Sequence, residues 1–584
     1  MSLTLKGHAV APGIAIGRVH LAERNELEIG EYRISEADVD NEIQRYRNAV
    51  DAARDQLNEL ADKIQPAVAV PAAEIIQSHV LMLGDSKIRE STEIHIREEL
   101  CNAEWALQSQ LEQVLSEFRS MDDEYIRTRG EDVTQVVRLI QGKLSDETAT
   151  KPFENIPDRL ADTLVIAEEL TPGELALLHE RGVAGIVTEH GGPHSHTAIL
   201  ASSLGIPAVL GVREARRLLQ EDSTIIVDGG LGAVFADPDS ATLQRYQEIQ
   251  REAERLRLSL IALRDQPAVS LDGVEVSLQA NAERPEELMQ SVEVGSEGVG
   301  LYRTEFLYLQ GRPPDEESQL EQYLSAIQIL AGKPLTIRTL DLGADKSTGV
   351  LDFSQLRRSV NPALGMRAIR LCLSDTALFK TQLRAILRAS HAGPVRCLIP
   401  MVTSVREVEL VKELLEEAKQ DLDKRKLPYD ADIPLGAMIE VPAAALSLGD
   451  LGRHLDFVSI GTNDLLQYTL AVDRGDEQVA HLYDLQHPGV VRLIKHILKV
   501  ARTLEIPASV CGEVAGETRY TRLLLALGVK EFSMHAARLL EVKQVVRKTN
   551  VSAAKVAINQ WLDDPGGQDD PTLLEILDGS QINP

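Results

Sequence analysis

Residues 191–200 carry the pattern most indicative of chemistry. Gly191 and Gly192 precede His194 and His196, and the residues after His196 become apolar with helical spacing. Glycines allow a tight turn, and the backbone N–H groups at a helix start favour anions. A histidine placed there is suited to accept a phosphoryl group and to hold it. A helix-start histidine without chemistry is the competing interpretation.

Arginines follow apolar, β-rich segments in the second half of the chain. Arg303 and Arg338 lie at the ends of two such segments. Arg474 lies ten residues after Asp464, which follows a third segment. In a (β/α)8 barrel, functional side chains sit at the carboxyl ends of the strands, so these three arginines are expected to converge. Guanidinium groups bind phosphate and carboxylate through paired hydrogen bonds. A salt bridge with a neighbouring acid at the rim is the alternative for each of them.

Two carboxylates and a cysteine occupy similar positions. Glu440 and Asp464 follow apolar segments of neighbouring predicted barrel units. Together with substrate oxygens and water, they suit Mg²⁺. Cys511 ends another predicted strand and is a candidate proton donor or acceptor, although inert packing is the ordinary role of a buried cysteine. The remaining cysteines are interpreted as packing residues: Cys101, Cys372 and Cys397.

A metal-binding interpretation of the histidines stays open. His190, His194 and His196 follow a spacing that resembles a run of metal ligands. No further ligand follows at useful spacing. A metallohydrolase that uses these histidines is therefore a competing hypothesis, and it requires stoichiometric metal in the N-terminal half.

Length and charge limit the possible functions. A chain of 584 residues is long enough for three to four domains. The formal net charge of -29 disfavours nucleic acid and anionic lipid as general partners. No apolar run approaches a membrane span, and the N-terminus does not resemble a signal peptide. Four separated cysteines without a CxxC pair favour a reduced, cytoplasmic protein.

The order of predicted elements indicates an α/β multidomain protein. Residues 3–20 are predicted to form one or two strands. They complete a small α/β domain made of residues 1–22 and 148–236. The other strands of this domain are predicted at 163–167, 185–188 and 223–227. A helical insertion is predicted over residues 23–147. Its helical pattern begins at Ser35, the predicted N-cap, with Asp38 at position N3. Its first helix has apolar residues at helical spacing: Ile43, Tyr46, Val50, Ala53, Leu57, Leu60 and Ile64.

A charged connecting helix is predicted over residues 237–266, with Asp237 as N-cap and Pro238 at its first position. Residues 267–584 are predicted to form a (β/α)8 TIM-type barrel, with an open doubly wound sheet as the alternative. The eight candidate strands are 274–281, 298–303, 335–341, 395–401, 435–440, 456–460, 508–511 and 531–534.

These motifs together resemble enzyme I of the phosphoenolpyruvate-dependent sugar phosphotransferase system over nearly the whole chain. The histidine motif at residues 191–199 is also shared with pyruvate phosphate dikinase and phosphoenolpyruvate synthase. Those enzymes carry a large ATP-binding domain, for which this chain has neither the length nor a motif. The matching segments are 191–199, 301–307, 459–465, 467–475 and 511–513.

The resemblance implies a role for each candidate residue. His196 accepts the phosphoryl group of phosphoenolpyruvate, and Cys511 protonates the enolate as pyruvate forms. Glu440 and Asp464 hold Mg²⁺. The helical insertion docks the histidine-containing carrier protein HPr, the barrel forms a homodimer, and the connecting helix is the hinge. The expected phosphoenolpyruvate ligands are Arg303, Arg338, Asn463, Asp464 and Arg474.

Two positions depart from the family pattern. Pro193-His194 stands where Arg-Thr is usual, and Ser202 stands where an arginine is common. We therefore expect His194 or Thr171 to help stabilise the phosphoryl group. Three other functions stay open: a regulatory branch without sugar transport, a stand-alone phosphoenolpyruvate–pyruvate enzyme, and a non-catalytic sensor of phosphoenolpyruvate.

Overall fold

A computed structural model divides the protein into two compact units, Met1–Arg255 and Leu256–Pro584. Each unit is described by itself. None of the described helices has the length and apolarity needed to cross a bilayer. The structure describes residues 3–22, 30–63, 78–84, 86–119, 124–144, 160–193, 195–308, 313–342, 361–474, 476, 478–563 and 573–579.

The first unit contains one eight-stranded sheet with the order β1-β8-β7-β3-β4-β5-β6-β2. Strands β3 to β6 are parallel, and the outer pairs are antiparallel. The strands are β1 Leu3–Lys6, β2 His8–Ala11, β3 Ile14–Leu21, β4 Thr163–Ala167, β5 Gly185–Thr188, β6 Ala208–Leu210, β7 Thr224–Asp228 and β8 Ala233–Ala236.

The N-terminal segment forms three strands, so the expected one or two strands were too few. Gly7 and the Pro12-Gly13 turn separate them. A Cβ at Gly7 would lie 2.4 Å from the carbonyl oxygen of Leu210, and Gly13 has a φ of +139° that favours glycine. The expected pairing of these strands with the later β-rich segments is confirmed, because β3 lies between β4 and β7.

The helical insertion contains long helices around its own apolar core. Their bounds are Val39–Lys63, Ser86–Glu99, Ala103–Arg119 and Glu124–Leu144. The expected apolar positions of the first helix are buried from Ile43 to Leu57, whereas the side chains of Leu60 and Ile64 lie outside the described residues. Ser35 does not cap a backbone N–H as expected. Its hydroxyl instead donates to the Asp38 carboxylate at 2.6 Å, ahead of a 3-10 turn over Glu36–Asp38.

Shorter helices cover the sheet, and a longer one follows it. The bounds are Pro172–Glu180, His196–Ser203, Ala215–Leu218 and Ser240–Ile261. The predicted N-cap Asp237 was wrong by two residues. The Asp239 carboxylate accepts the Thr242 N–H at 2.7 Å and caps the connecting helix, which begins at Ser240.

The second unit is a closed barrel of eight parallel strands, as predicted. Each strand pairs with the next along the chain, and the last pairs with the first. The strands are β9 Ser277–Ala282, β10 Val299–Tyr302, β11 Leu335–Arg338, β12 Val395–Ile399, β13 Leu435–Ile439, β14 Phe457–Gly461, β15 Ala508–Cys511 and β16 Glu531–His535.

Helices alternate with these strands. Their bounds are Pro285–Glu293, Glu316–Leu330, Ala368–Ser374, Thr376–Ser390, Val405–Arg425, Pro442–Leu446, Leu448–Leu451, Thr462–Leu470, Pro488–Thr503, Glu513–Gly516, Thr518–Leu527, Ala536–Arg547, Val551–Asp563 and Leu573–Gly579. Their apolar faces and the strands form one large core, and a separate small cluster contains Leu301, Leu398, Met438, Phe457 and Cys511. Because all eight strands run the same way, their carboxyl ends meet at one mouth.

Candidate active site

The histidine motif lies where the sequence predicts, at the start of a helix. Ser195 is the N-cap, and its hydroxyl accepts the Ala198 N–H at 3.3 Å. His196 is the first residue of helix His196–Ser203, and Thr197 donates to the carbonyl of Leu170 at 2.8 Å, which ties the helix to the preceding loop. His194 and the side chain of His196 lie outside the described residues.

The neighbours of this motif bear on the expected helpers. Thr171 donates its hydroxyl hydrogen to Glu174 at 2.9 Å and accepts the Glu174 N–H in a capping box. That hydroxyl therefore stabilises the helix Pro172–Glu180, and a role of Thr171 towards the phosphoryl group stays a prediction. His190 is exposed, and its Nε2 lies 3.7 Å from a Glu168 oxygen. Among the described residues, no group of three histidine, cysteine or acidic side chains could hold a metal on its own.

The barrel mouth contains a buried cluster of opposite charges. Arg338, at the end of β11, lies 3.1 Å from a Glu305 oxygen and 3.1 Å from an Asp341 oxygen. Burial alone would lower the pKa of Arg338, but Glu305 and Asp341 raise it above its ordinary value. Within the described part of the chain, the buried Arg338 Nε has no hydrogen-bond acceptor. That N–H remains available to an anion.

The sequence reasoning missed a second buried arginine in this cluster. Arg367 Nη2 lies 2.9 Å from Asp341 Oδ1 and 3.6 Å from Asp464 Oδ2. Arg367 precedes the helix Ala368–Ser374 and does not end a strand, so a search limited to strand ends could not find it. Arg367 Nη1 also donates to the Tyr468 hydroxyl at 3.4 Å. No sequence pattern predicts this contact between two distant segments.

Glu440 and Asp464 follow β13 and β14 at the same mouth, as expected. Glu440 accepts the Met401 N–H at 2.6 Å and is 1% exposed. Burial, Asp341 and Asp464 raise the pKa of Glu440 well above its ordinary value. Four acidic side chains thus face two arginines, and a divalent cation would relieve the repulsion between them. The donor set, carboxylate oxygens, suits such a cation.

Asn463 is oriented by Glu513, the first residue of the helix Glu513–Gly516. Its Oδ1 accepts the Glu513 N–H at 3.1 Å, and its Nδ2 donates to Glu513 Oε1 at 3.3 Å. Tyr483 donates to the Asn463 carbonyl at 2.9 Å, and burial raises the Tyr483 pKa to about 12. Glu513 therefore holds the side-chain amide of Asn463, and Tyr483 holds its backbone carbonyl.

The outer arginines are more exposed than Arg338. Arg303 follows β10, and its Nη1 donates to Glu283 at 2.6 Å. Arg474 is exposed on the loop after helix Thr462–Leu470, where its charge acts on Tyr483. The rim salt bridge considered for each arginine is thus present at Arg303.

Cys511, at the end of β15, is buried at the mouth. Ser459 donates to its Sγ at 3.2 Å, and Ser509 donates to Ser459 at 3.0 Å. Burial raises the pKa of Cys511 to about 11, while Ser459, Arg338 and Arg303 act in the opposite direction. The thiol is therefore protonated at neutral pH and lies near two of the predicted anion-binding arginines.

A (β/α)8 barrel with buried arginines, paired carboxylates and a protonated thiol at its mouth defines a barrel enzyme that acts on an anionic substrate. Family profiles identify which class this is. Residues 6–129 match the N-terminal domain, residues 160–232 the mobile domain and residues 259–551 the PEP-binding domain of PEP-utilising enzymes.

Curated relatives match nearly the whole chain. A phosphoenolpyruvate-protein phosphotransferase of Cupriavidus necator is 40% identical and covers 96% of this chain and 97% of its own. Proteins of the same name from Listeria innocua and Bacillus subtilis are each 36% identical. They cover 96% and 94% of this chain, and 97% and 95% of their own. The chain therefore belongs to the phosphoenolpyruvate-protein phosphotransferase family of PEP-utilising enzymes.

Proposed function

We propose that the protein transfers the phosphoryl group of phosphoenolpyruvate to its own His196 and then to the carrier protein HPr, releasing pyruvate. In this role it catalyses the first step of a sugar phosphotransferase system. The observation that carries the proposal is the buried cluster at the barrel mouth, in a family whose relatives bear the phosphotransferase name. The position of His196 at a helix start supports its role as acceptor.

The substrate is proposed to bind between the arginines. Phosphoenolpyruvate carries a phosphate and a carboxylate, which match paired guanidinium groups. Arg338 offers the free Nε described above. Arg303, which follows β10, and Arg474, on the loop after helix Thr462–Leu470, are proposed to add their charges to the same anion. Asn463 and Asp464 complete the predicted set. Transfer of this kind depends on alignment and charge neutralisation more than on covalent chemistry from the protein.

Mg²⁺ is the proposed cofactor. Glu440 and Asp464 would hold it, together with substrate oxygens and water. When bound, the ion would neutralise charge on the phosphate and on the enolate. The crowding of Glu440, Asp464 and Asp341 supports a site that is completed by a cation, because burial and these neighbours disfavour the charged form of Glu440.

Cys511 is the proposed proton donor. After the phosphoryl group leaves, the enolate carbon needs a proton to become pyruvate. A thiol with its pKa raised to about 11 holds its proton at neutral pH. General acid catalysis by a positioned group contributes about 10²- to 10⁴-fold. Ser459 donates to Sγ at 3.2 Å, and Sγ donates its own hydrogen to the Ile460 carbonyl at 3.5 Å, a long contact that the hydrogen would leave to reach the enolate.

Movement of the histidine-bearing unit is part of the proposal, since His196 and the barrel belong to different units. The connecting helix Ser240–Ile261 is the proposed hinge. Its first half is held within the first unit, where Tyr246 donates to Asp228 at 3.2 Å. We also propose the finer domain boundaries given above, HPr docking on residues 23–147, a homodimer formed by the barrel, and a cytoplasmic location.

The test uses phosphoenolpyruvate labelled in its phosphate, with Mg²⁺ present. We expect wild-type protein to carry acid-labile, base-stable label, and His196→Ala to carry none. His190→Ala, at an exposed histidine of the same loop, is the matched control and keeps the label. Label on His196→Ala, or no label on wild type, would contradict the proposal. Stoichiometric metal in the isolated first unit would instead favour the metallohydrolase.

A further inference from the structure

Asp341 contacts both buried arginines of the barrel mouth. Its Oδ2 lies 3.1 Å from Arg338 Nη1. Its Oδ1 accepts from Arg367 Nε at 3.1 Å and from Arg367 Nη2 at 2.9 Å, and Oδ2 accepts from the same Nη2 at 3.1 Å. The carboxylate is 3% exposed. One buried carboxylate is therefore shared by two guanidinium groups that come from separate segments.

The segment that carries Asp341 is fixed by its own backbone. It leaves the strand after Arg338, so the predicted strand 335–341 was too long. Each of its residues has a backbone group bonded to a partner in the barrel: Arg338 O to the Thr304 hydroxyl at 3.0 Å, Thr339 N to Leu398 O at 2.9 Å, Leu340 N to Gln382 Oε1 at 3.0 Å, and Asp341 N to Glu305 Oε1 at 3.0 Å.

Such a fixed carboxylate restricts how each guanidinium group can rotate. A guanidinium group presents five N–H donors in a rigid plane. Besides Asp341, Glu305 accepts from Arg338 Nη2 and Tyr468 accepts from Arg367 Nη1. Arg338 Nε has no acceptor within the described residues and is the donor left to face a ligand.

We propose that Asp341 is a positioning residue that aligns Arg338 and Arg367 for the phosphoenolpyruvate anion. The inference rests on the proposed function and deepens it, because it assigns a role to a residue that has none in the proposal above. Asp341 does not touch the reacting atoms in this account. Its effect passes through the two arginines.

A role in neutralising charge alone makes a different prediction. Glu305 also contacts Arg338, so general negative charge near that arginine would persist without Asp341. Alignment instead depends on where the two oxygens of Asp341 lie. Asp341→Glu keeps the charge but displaces the carboxylate by one methylene. Asp341→Asn keeps the shape, yet either orientation of its amide turns an NH₂ group towards an N–H donor.

The test measures KM for phosphoenolpyruvate and kcat for label uptake in the full-length protein. We expect both Asp341→Asn and Asp341→Glu to raise KM at least tenfold, since hydrogen bonds between charged groups are misaligned. Thermal unfolding of each variant shows whether it folds. Asp272→Asn is the control: Asp272 accepts from the N–H groups of Val551 and Ser552 at the start of helix Val551–Asp563 and from the hydroxyls of Ser270 and Ser552. It is expected to lower stability and to leave KM unchanged.

The possible outcomes separate the two proposals. If Asp341→Glu matches wild type, or if neither variant changes KM, Asp341 does not align the arginines. If KM rises only in proportion to lost stability and Asp272→Asn behaves in the same way, the role is structural and the inference is wrong. If wild type itself takes up no label, the proposed function has failed instead. Should Asp341→Asn not fold, Asp341→Glu decides the question.

Discussion

The protonation state of Cys511 yields a quantitative prediction. Its thiol is 1% exposed, and burial raises its pKa to about 11, from an ordinary 9.0. At pH 8 the thiolate is then about 10⁻³ of the total, compared with about 10⁻¹ for an unshifted thiol. This hundredfold difference corresponds to about 3 kcal/mol in favour of the protonated form. A proton donor to an enolate needs that form.

Alkylation by iodoacetamide reports the thiolate, because only the thiolate reacts. Burial also slows access, so the pH at which the rate levels off is the informative quantity, and the rate itself is not. We expect the logarithm of the Cys511 rate, followed by peptide mass spectrometry, to rise by about one per pH unit from pH 7 to pH 10.

Free cysteine in the same buffers is the control, and its rate levels off near its own, lower pKa. The same levelling near pH 9 at Cys511 would refute the reasoning, because the buried thiol would then ionise like an exposed one. Ser459→Ala extends the test. It removes the hydrogen bond that favours the thiolate, so we expect the rate to level off at a higher pH than in wild type.

Two further substitutions test the metal site and the connecting helix. Glu440→Gln keeps an acceptor for Met401 N–H and so keeps the fold. We expect that Mg²⁺ no longer raises the Tm of this variant and that its label uptake falls at least 10²-fold. A Tm that Mg²⁺ still raises would contradict this, and Glu416→Gln, at an exposed residue, is the control. Lys543 is 3% exposed and donates to three carbonyls of residues 263–266, in the segment that follows the connecting helix, at 2.9 to 3.2 Å. Lys543→Met is expected to cost about 3 kcal/mol and to lower Tm by about 4 °C. Exposed Lys548→Met is expected to change neither, and an unchanged Tm in Lys543→Met would show that the contacts add no stability.

Much of the site could be predicted from the sequence because the functional side chains of a (β/α)8 barrel lie at the carboxyl ends of its strands. Arg303, Arg338 and Cys511 end strands or directly follow them, and Glu440 follows β13. Eight β-rich segments separated by helical ones were enough to predict the closed barrel, because parallel strands with helical connections favour that architecture.

Other contacts have no signal in a single sequence. Arg367 reaches the site from the start of a helix. Asp341, which contacts both Arg367 and Arg338, lies after the end of β11, in a segment that was predicted to be part of the strand. Ser459 meets Cys511 because β14 and β15 pair in a particular register. Lys543 resembles an ordinary surface lysine of a charged helix, although it is buried. Each depends on tertiary register, which local pattern does not contain.

The central claim is that one histidine of this chain accepts the phosphoryl group. The most direct measurement is the amount of pyruvate released when the protein is mixed with excess phosphoenolpyruvate and Mg²⁺, without any carrier protein. Our account predicts a burst of one pyruvate per wild-type chain that then stops, and no burst from His196→Ala. Continuous release by wild type, or an unchanged burst from His196→Ala, would contradict it.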